Sequence, residues 1–482
     1  MTDITKLDPS TGPYLQGLYA PVLEEITARD LTVEGKLPDD LEGFFVRNGA
    51  NPRLPPRGRY HWFDGDGMVH AVEIGGGKAT YRNRFVQTEG LAAEMAAGRP
   101  LWTGILEPPD LQSPLGPFKD TANTDLVFHA GKLLALWWQT GVPHVLSLPG
   151  LETRGKELFG GSHTRGISAH PKVDPRTGEM IFIAFGMRPP YLEYGVVGAD
   201  GTLAHFTPIE SVPGVRYQHD IAITERFAVL MDLPMFPDPA ALAKGKSRVV
   251  FDRDMPARFG VIPRRGTDAD VRWFEASACY IYHTINAWEE GDEVVLFGCR
   301  IADPLFGDPQ NPTERAPIPS IGLQRLEPYL HEWRFNMVTG QTTERPMGDT
   351  LLEFPRMDNR LLGKASRYTF APRVAHSATL MFDALVKHDR ETGKEITYTY
   401  PRGCYGGEAV VCPRTGSTAE DDAYVVTFVT HESTDESELY VWSAREFGEP
   451  IARAKIPQRV PLGYHAWWVP AGDVPPSNGE TT

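Results

Sequence analysis

The chain has 482 residues, of which 41% are hydrophobic and 23% charged, the balance of a globular protein long enough to bury a large core. Its net charge of −15 argues against broad binding to nucleic-acid backbones and against bulk attraction to anionic lipid. Segment 1–14 is polar and lacks the basic-then-apolar order of a secretory leader, and no stretch approaches the roughly 18 apolar residues that span a bilayer.

Taken in chain order, 10–28 shows no periodicity, and Leu91–Ala97 (LAAEMAA) reads as a short helix. Leu126–Trp138 is the most apolar segment. His129 and Lys132 interrupt it, so it reads as buried strands. Further strands are expected at Glu179–Phe185, Phe227–Met231, Glu293–Phe297, Ile396–Tyr400 and Ala423–Val429, where β-branched and aromatic residues cluster between turn residues. A second short helix is expected over Pro239–Lys246. A turn signature ending in Gly recurs at Gly178, Gly340, Gly393 and Gly416, where positive φ would close a hairpin.

Many short hairpins and few helices predict an all-β chain. A β-propeller accommodates so many strands by radial repetition, although no blade signature recurs at fixed spacing. No low-complexity linker divides 1–482, so a single domain is expected, with 471–482 as a loose polar tail. The four cysteines, Cys279, Cys299, Cys404 and Cys412, form no CxxC pair. They fit a reducing cytoplasm better than a thiolate zinc site.

Of the 14 histidines, His170, His219, His283 and His465 each sit at the edge of an apolar or aromatic run, beside residues that fix a bend. Their wide spacing means they could meet only where distant strands converge on an axis, as the inner strands of a propeller do. Neutral imidazoles suit iron, zinc, copper or nickel alike, so ligand type does not choose the metal. Four such ligands leave one or two positions open on an octahedral ion. Glu353 and Glu408 lie in apolar surroundings and need partners. They read equally well as carboxylates that orient metal-bound imidazoles or as salt-bridge residues paired with Arg356 or Arg414.

At these residues the chain resembles the carotenoid cleavage oxygenase family, which includes carotenoid and apocarotenoid oxygenases, retinal pigment isomerases and stilbene-cleaving dioxygenases. The match runs from Leu41-Glu-Gly-Phe-Phe-Val-Arg-Asn-Gly-Ala-Asn-Pro52 and Trp62-Phe-Asp-Gly-Asp-Gly-Met-Val69 through Thr121-Ala-Asn-Thr124, Ala169-His-Pro-Lys172, His219-Asp220, His283 and Glu353-Phe-Pro-Arg356 to Glu408 and Gly463-Tyr-His465. The resemblance implies a seven-bladed β-propeller with a cap of loops and short helices, and an axial Fe(II) (Fe2+) held by His170, His219, His283 and His465. It further implies that O2 cleaves a C=C bond of an apolar alkene to two carbonyl products. Glu353 and Glu408 match two of three outer glutamates, while Trp137 and Trp138 stand where the third is expected. Thr124 matches a threonine that crowds the sixth metal position.

Stilbene-cleaving relatives hold a phenol with a Tyr and a Lys. Ile105 and Trp137 stand there instead, which favours a carotenoid or apocarotenoid over a stilbene. Trp102, Trp137, Trp138, Phe306 and Phe370 are the candidate tunnel residues, with ordinary core packing as the alternative for each. A polyene would be collected from a bilayer, so peripheral membrane contact is expected. Segment Leu230–Leu242 is either an apolar lip at the tunnel mouth or a packed loop between blades.

Overall fold

The computed structural model describes residues 12–242, 249–304, 326–377 and 379–476. Phe306 and the last part of the expected tail lie outside them. Seven antiparallel blades surround one axis. Four are separate four-stranded sheets that begin at Asp125, Lys172, Ala222 and Tyr280. A nine-stranded sheet supplies two more, joined through Cys404–Gly406, which pairs with both Phe382–Asp389 and Ala423–His431. The remaining blade joins the two ends of the chain, because Ala466–Pro470 pairs with Gly43–Arg47. That pairing closes the ring, which leaves no open edge between the first and last blades.

Local chemistry accounts for the strands. Met180–Phe185, Phe227–Asp232, Glu293–Ile301 and Ala423–His431 occupy the expected runs. Gly178, Gly340, Gly393 and Gly416 all have positive φ, between 69° and 79°, as the turn signature requires. Burial falls with distance from the axis. In the inner strand Tyr280–Glu290 nine successive residues are buried, whereas the outer strand Thr342–Leu351 has no buried residue. Neighbouring blades cover both faces of an inner strand, which removes the alternation seen in one-sided sheets.

Two helices form. Glu89–Ala97 is capped by Thr88 and closed by Gly98 at φ 66°. Pro239–Leu242 is a single turn. Of the two readings open for Leu230–Leu242, packing between blades accounts for Leu230, Met231, Leu233 and Met235, which are all buried. Phe370 is likewise a core aromatic, packed with Leu385 and Trp442 away from the axis. Among the described residues no helix is long and apolar enough to cross a membrane.

Candidate metal centre

Each blade delivers one polar side chain to the axis. His465 directly precedes the strand Ala466–Pro470, Asp125 opens Asp125–His129, and His170 lies two residues before Lys172–Val173. His219 precedes Ala222–Ile223, and His283 sits within Tyr280–Glu290. Glu353 belongs to an inner segment that bridges to the next blade at Leu352–Arg373 and Arg356–Phe370. Glu408 precedes Val410–Pro413. The backbone is bent to aim these groups. His170, with φ 65°, and Phe354, with φ 50°, take left-handed conformations that cost a non-glycine residue about 1 kcal/mol or more and persist only where the surroundings enforce them. At Gly463 an added Cβ would lie 2.7 Å from the Arg47 guanidinium carbon and 2.8 Å from the Asn48 carbonyl oxygen, so only glycine lets this segment pass on its way to His465.

The four histidines are buried, and their ligand nitrogens all lie within 4.8 Å of one another. His219 Nε2 is 3.2 Å from both His170 Nε2 and His283 Nε2, the separation of neighbouring ligands around an ion about 2.3 Å from each, close to ordinary metal–imidazole distances. Three of the rings are turned by carboxylates. His283 Nδ1 donates to Glu353 Oε2, His465 Nδ1 to Glu408 Oε1 at 3.0 Å, and His170 Nδ1 to Asp125 Oδ2 at 2.9 Å. A carboxylate on Nδ1 fixes the tautomer and leaves Nε2 with a lone pair for a metal.

The outer carboxylate at His170 is the residue that sequence reasoning missed. Trp137 and Trp138 leave the expected glutamate position without a carboxylate, and Asp125 supplies one to His170 from the blade beside it. The available signal was a lone Asp opening an apolar strand, which a buried carboxylate does only with a partner. Glu408 resolves its two readings by taking both parts: Oε1 holds His465 while Oε2 accepts from Arg356 Nη2 at 3.0 Å. Arg414 binds Asp40 instead.

Donor type fits a divalent ion. Three carboxylates, Asp125, Glu353 and Glu408, lie behind the imidazoles beside the Arg356 guanidinium; Lys172 is paired with Asp220 at 2.6 Å. Burial raises the Glu408 carboxyl against the pull of Arg356, and buried charge is tolerated only when compensated. Burial, with His170 and the other rings nearby, pushes the His219 and His465 imidazoles well below their usual range, so both stay neutral and ready to ligate. For His283, burial is outweighed by Glu353, which pulls that imidazole upward. Burial works against ionisation of Asp125, but the His170 hydrogen bond and charge hold its carboxyl far below the usual range.

A cavity of about 860 Å³ opens on His219, His283 and His465, lined by Trp62, Phe63, Trp138, Tyr282, Phe354 and Tyr464 among others. Thr124 lines it too; its hydroxyl accepts from Trp138 N and donates to Asn123 Oδ1, both at 2.9 Å. Phe63 and Trp138, with ring centres 5.6 Å apart, also face a second cavity of about 70 Å³ that contains Trp102, Ile105 and Trp137. Trp138 thus lines the main cavity, while Trp102 and Trp137 sit behind it.

A closed propeller with four buried axial imidazoles beneath an apolar cavity defines a metalloenzyme that binds a hydrophobic substrate. The chain belongs to the carotenoid cleavage oxygenase family: the family profile described as "Retinal pigment epithelial membrane protein" matches residues 19–470, and by its curated relatives it is a dioxygenase by class. It is 37% identical over 494 residues to carotenoid 9,10(9',10')-cleavage dioxygenase 1 of Phaseolus vulgaris, a match covering 95% of this chain and 89% of the relative. Among solved structures it resembles lignostilbene dioxygenase of Pseudomonas brassicacearum (TM-score 0.84, 29% identity, 95% of this chain and 98% of the other). It also resembles the cobalt-substituted apocarotenoid oxygenase of Synechocystis (TM-score 0.80, 25% identity, 96% and 99%).

Proposed function

We propose that the protein is an Fe(II)-dependent oxygenase that cleaves a C=C bond of a carotenoid or apocarotenoid with O2, giving two carbonyl products. The observation that carries this reading is the convergence of four buried imidazoles, three of which, His219, His283 and His465, line a large apolar cavity. His170, His219, His283 and His465 would hold the ion, with Asp125, Glu353 and Glu408 orienting three of them. A bound Fe(II) supplies the redox chemistry by which O2 reacts with an alkene. The chain's own contribution is positional: the walls formed by Trp62, Phe63, Trp138 and Phe354 exclude water and place one double bond above the imidazoles. Thr124, fixed by Asn123 and by the Trp138 amide, narrows the approach beside His465, whose backbone N donates to the Thr124 carbonyl oxygen.

The likeness to lignostilbene dioxygenase supports a stilbene as the second reading. Against it, Ile105 and Trp137 leave no phenol grip at the positions expected from sequence. Contact with a bilayer would come from the loop that exposes Leu111, Leu115 and Phe118 rather than from Leu230–Leu242.

The test is a panel of polyenes and hydroxystilbenes incubated with iron-loaded protein under labelled dioxygen. Labelled aldehydes or ketones from a polyene are the expected result. Cleavage of stilbenes alone establishes the second reading, and unlabelled products or none would overturn both.

A further inference from the structure

The segments that carry three of the four histidines meet at one carboxylate. Asp220 follows His219 directly and is 2% exposed. Its Oδ1 accepts from Lys172 Nζ at 2.6 Å and from the Ile221 amide at 2.7 Å. Its Oδ2 accepts from the Thr284 amide at 2.7 Å and from the Thr284 hydroxyl at 2.8 Å. Lys172 lies two residues after His170, and Thr284 follows His283. These segments lead into three different blades, those that begin at Lys172, Ala222 and Tyr280.

The strand that carries His283 is irregular at this point. Its pairing with Glu293–Ile301 shifts register on both sides of Thr284. Such an irregularity re-aims side chains and takes backbone groups out of the ladder, and here the Thr284 amide turns to Asp220. His219 has the greatest need of a fixed backbone. Carboxylates hold Nδ1 of His170, His283 and His465, whereas His219 Nδ1 has no hydrogen-bond partner among the described residues. Its ring is aimed by its backbone and by contact with Tyr282, whose ring centre is 4.9 Å away.

We infer that Asp220 is a positioning residue of the metal centre. It ties the backbones of His170, His219 and His283 to one another without a hydrogen bond to any imidazole, and so does for His219 what an outer carboxylate does for the other rings. This rests on the reading of the four histidines as a metal centre, and not on the alkene cleavage proposed for it. A carboxylate has roughly four acceptor sites, and the four donors on Asp220 fill them. An asparagine would keep one acceptor oxygen and turn a second donor towards the others, so it could hold one side of the tie but not both.

Co(II) is the probe, because its visible absorption reports coordination geometry. Its affinity is measured by chelator competition, without alkene or oxygen, and melting temperatures are read with and without the metal. Asp220→Asn is expected to bind Co(II) about tenfold more weakly, with a shifted absorption and a smaller rise in melting temperature on metal addition. Thr284→Val, which keeps the amide and loses the hydroxyl, should weaken binding about threefold. The control is Asp232→Asn. Asp232 is fully buried in the blade that begins at Ala222 and pairs with Arg216 and Arg258. Its loss should lower the melting temperature of the metal-free protein and leave Co(II) affinity and absorption as they were. The same result for Asp220→Asn would make Asp220 an ordinary structural ion-pair residue and overturn the inference. Failure of the native protein to bind Co(II) would overturn it together with the centre. Failure to cleave an alkene would touch neither.

Discussion

Asp125 Oδ2 lies 2.9 Å from His170 Nδ1, and both side chains are buried. The two residues come from adjacent blades, and the same carboxylate also accepts from the Leu126 amide through Oδ1 at 2.7 Å. The imidazole is therefore anchored to the backbone of the neighbouring blade through one carboxylate.

Loss of that anchor should loosen the metal. Asp125→Leu is expected to weaken Fe(II) or Co(II) binding by about 10- to 100-fold, the usual effect of removing a carboxylate behind a metal-bound histidine. Asp125→Asn, which keeps an acceptor, should lose less. Competition against a chelator measures both. Equal, native-like affinities would show that His170 does not depend on Asp125.

The metal should stabilise the fold, because an assembled four-histidine site exists only in the native state. Metal removal is expected to lower the melting temperature, and readdition to restore it. Single alanine substitutions at His170, His219, His283 or His465 should abolish that response. A melting temperature indifferent to metal in the native protein would contradict the assignment of the centre.

Trp138 is expected to limit the cavity. Trp138→Ala removes a buried ring between the two cavities and should destabilise the protein by about 3–5 kcal/mol. It should also allow longer or bulkier alkenes to bind. Denaturant unfolding and a chain-length series measure the two effects. Lost stability with no change in length preference would reduce Trp138 to a packing residue.

Asp64 predicts a pH dependence. Burial raises its carboxyl to about 6 from the usual 3.8, against the opposing hydrogen bonds from the His61 and Ile105 amides. The folded state thus binds the proton more tightly than the unfolded chain. The resulting contribution is complete below the unfolded pKa and is lost as pH rises through about 6. Native stability relative to Asp64→Asn should therefore fall between pH 4 and pH 7, by at most about 2–3 kcal/mol. A flat difference across that range would refute the shift.

The exposed loop predicts a membrane response. Leu111, Leu115 and Phe118 are 78%, 51% and 41% exposed, and single charges at these positions cannot disturb a core. Replacing all three with Asp should reduce co-sedimentation with neutral vesicles severalfold and leave the melting temperature unchanged. Unaltered sedimentation would exclude this loop as the contact.

Much of the site was legible because its residues carry local marks. His170 is followed by Pro171, His219 by Asp220, and His465 is preceded by Gly463, whose lack of a side chain the chain path requires. Hairpins were legible for a similar reason, since the glycines that close them need positive φ. The inner strands were not. Lys172–Val173 and Ala222–Ile223 are two residues long, too short for any period, and the longer ones are buried on both faces. Leu230–Leu242 left a surface lip and a packed loop equally open, because an apolar run does not reveal whether another blade covers it.

The sequence by itself determined an all-β chain, the residues that could bind a metal, and the family, because turn chemistry and ordered motifs are local properties written in consecutive residues. Only the tertiary structure decided that Asp125 serves His170 and that Glu408 serves both His465 and Arg356. Those pairings join residues 45, 57 and 52 positions apart. Partners so distant are chosen by the meeting of blades at the axis, and nothing in the neighbouring sequence encodes which carboxylate will face which ring.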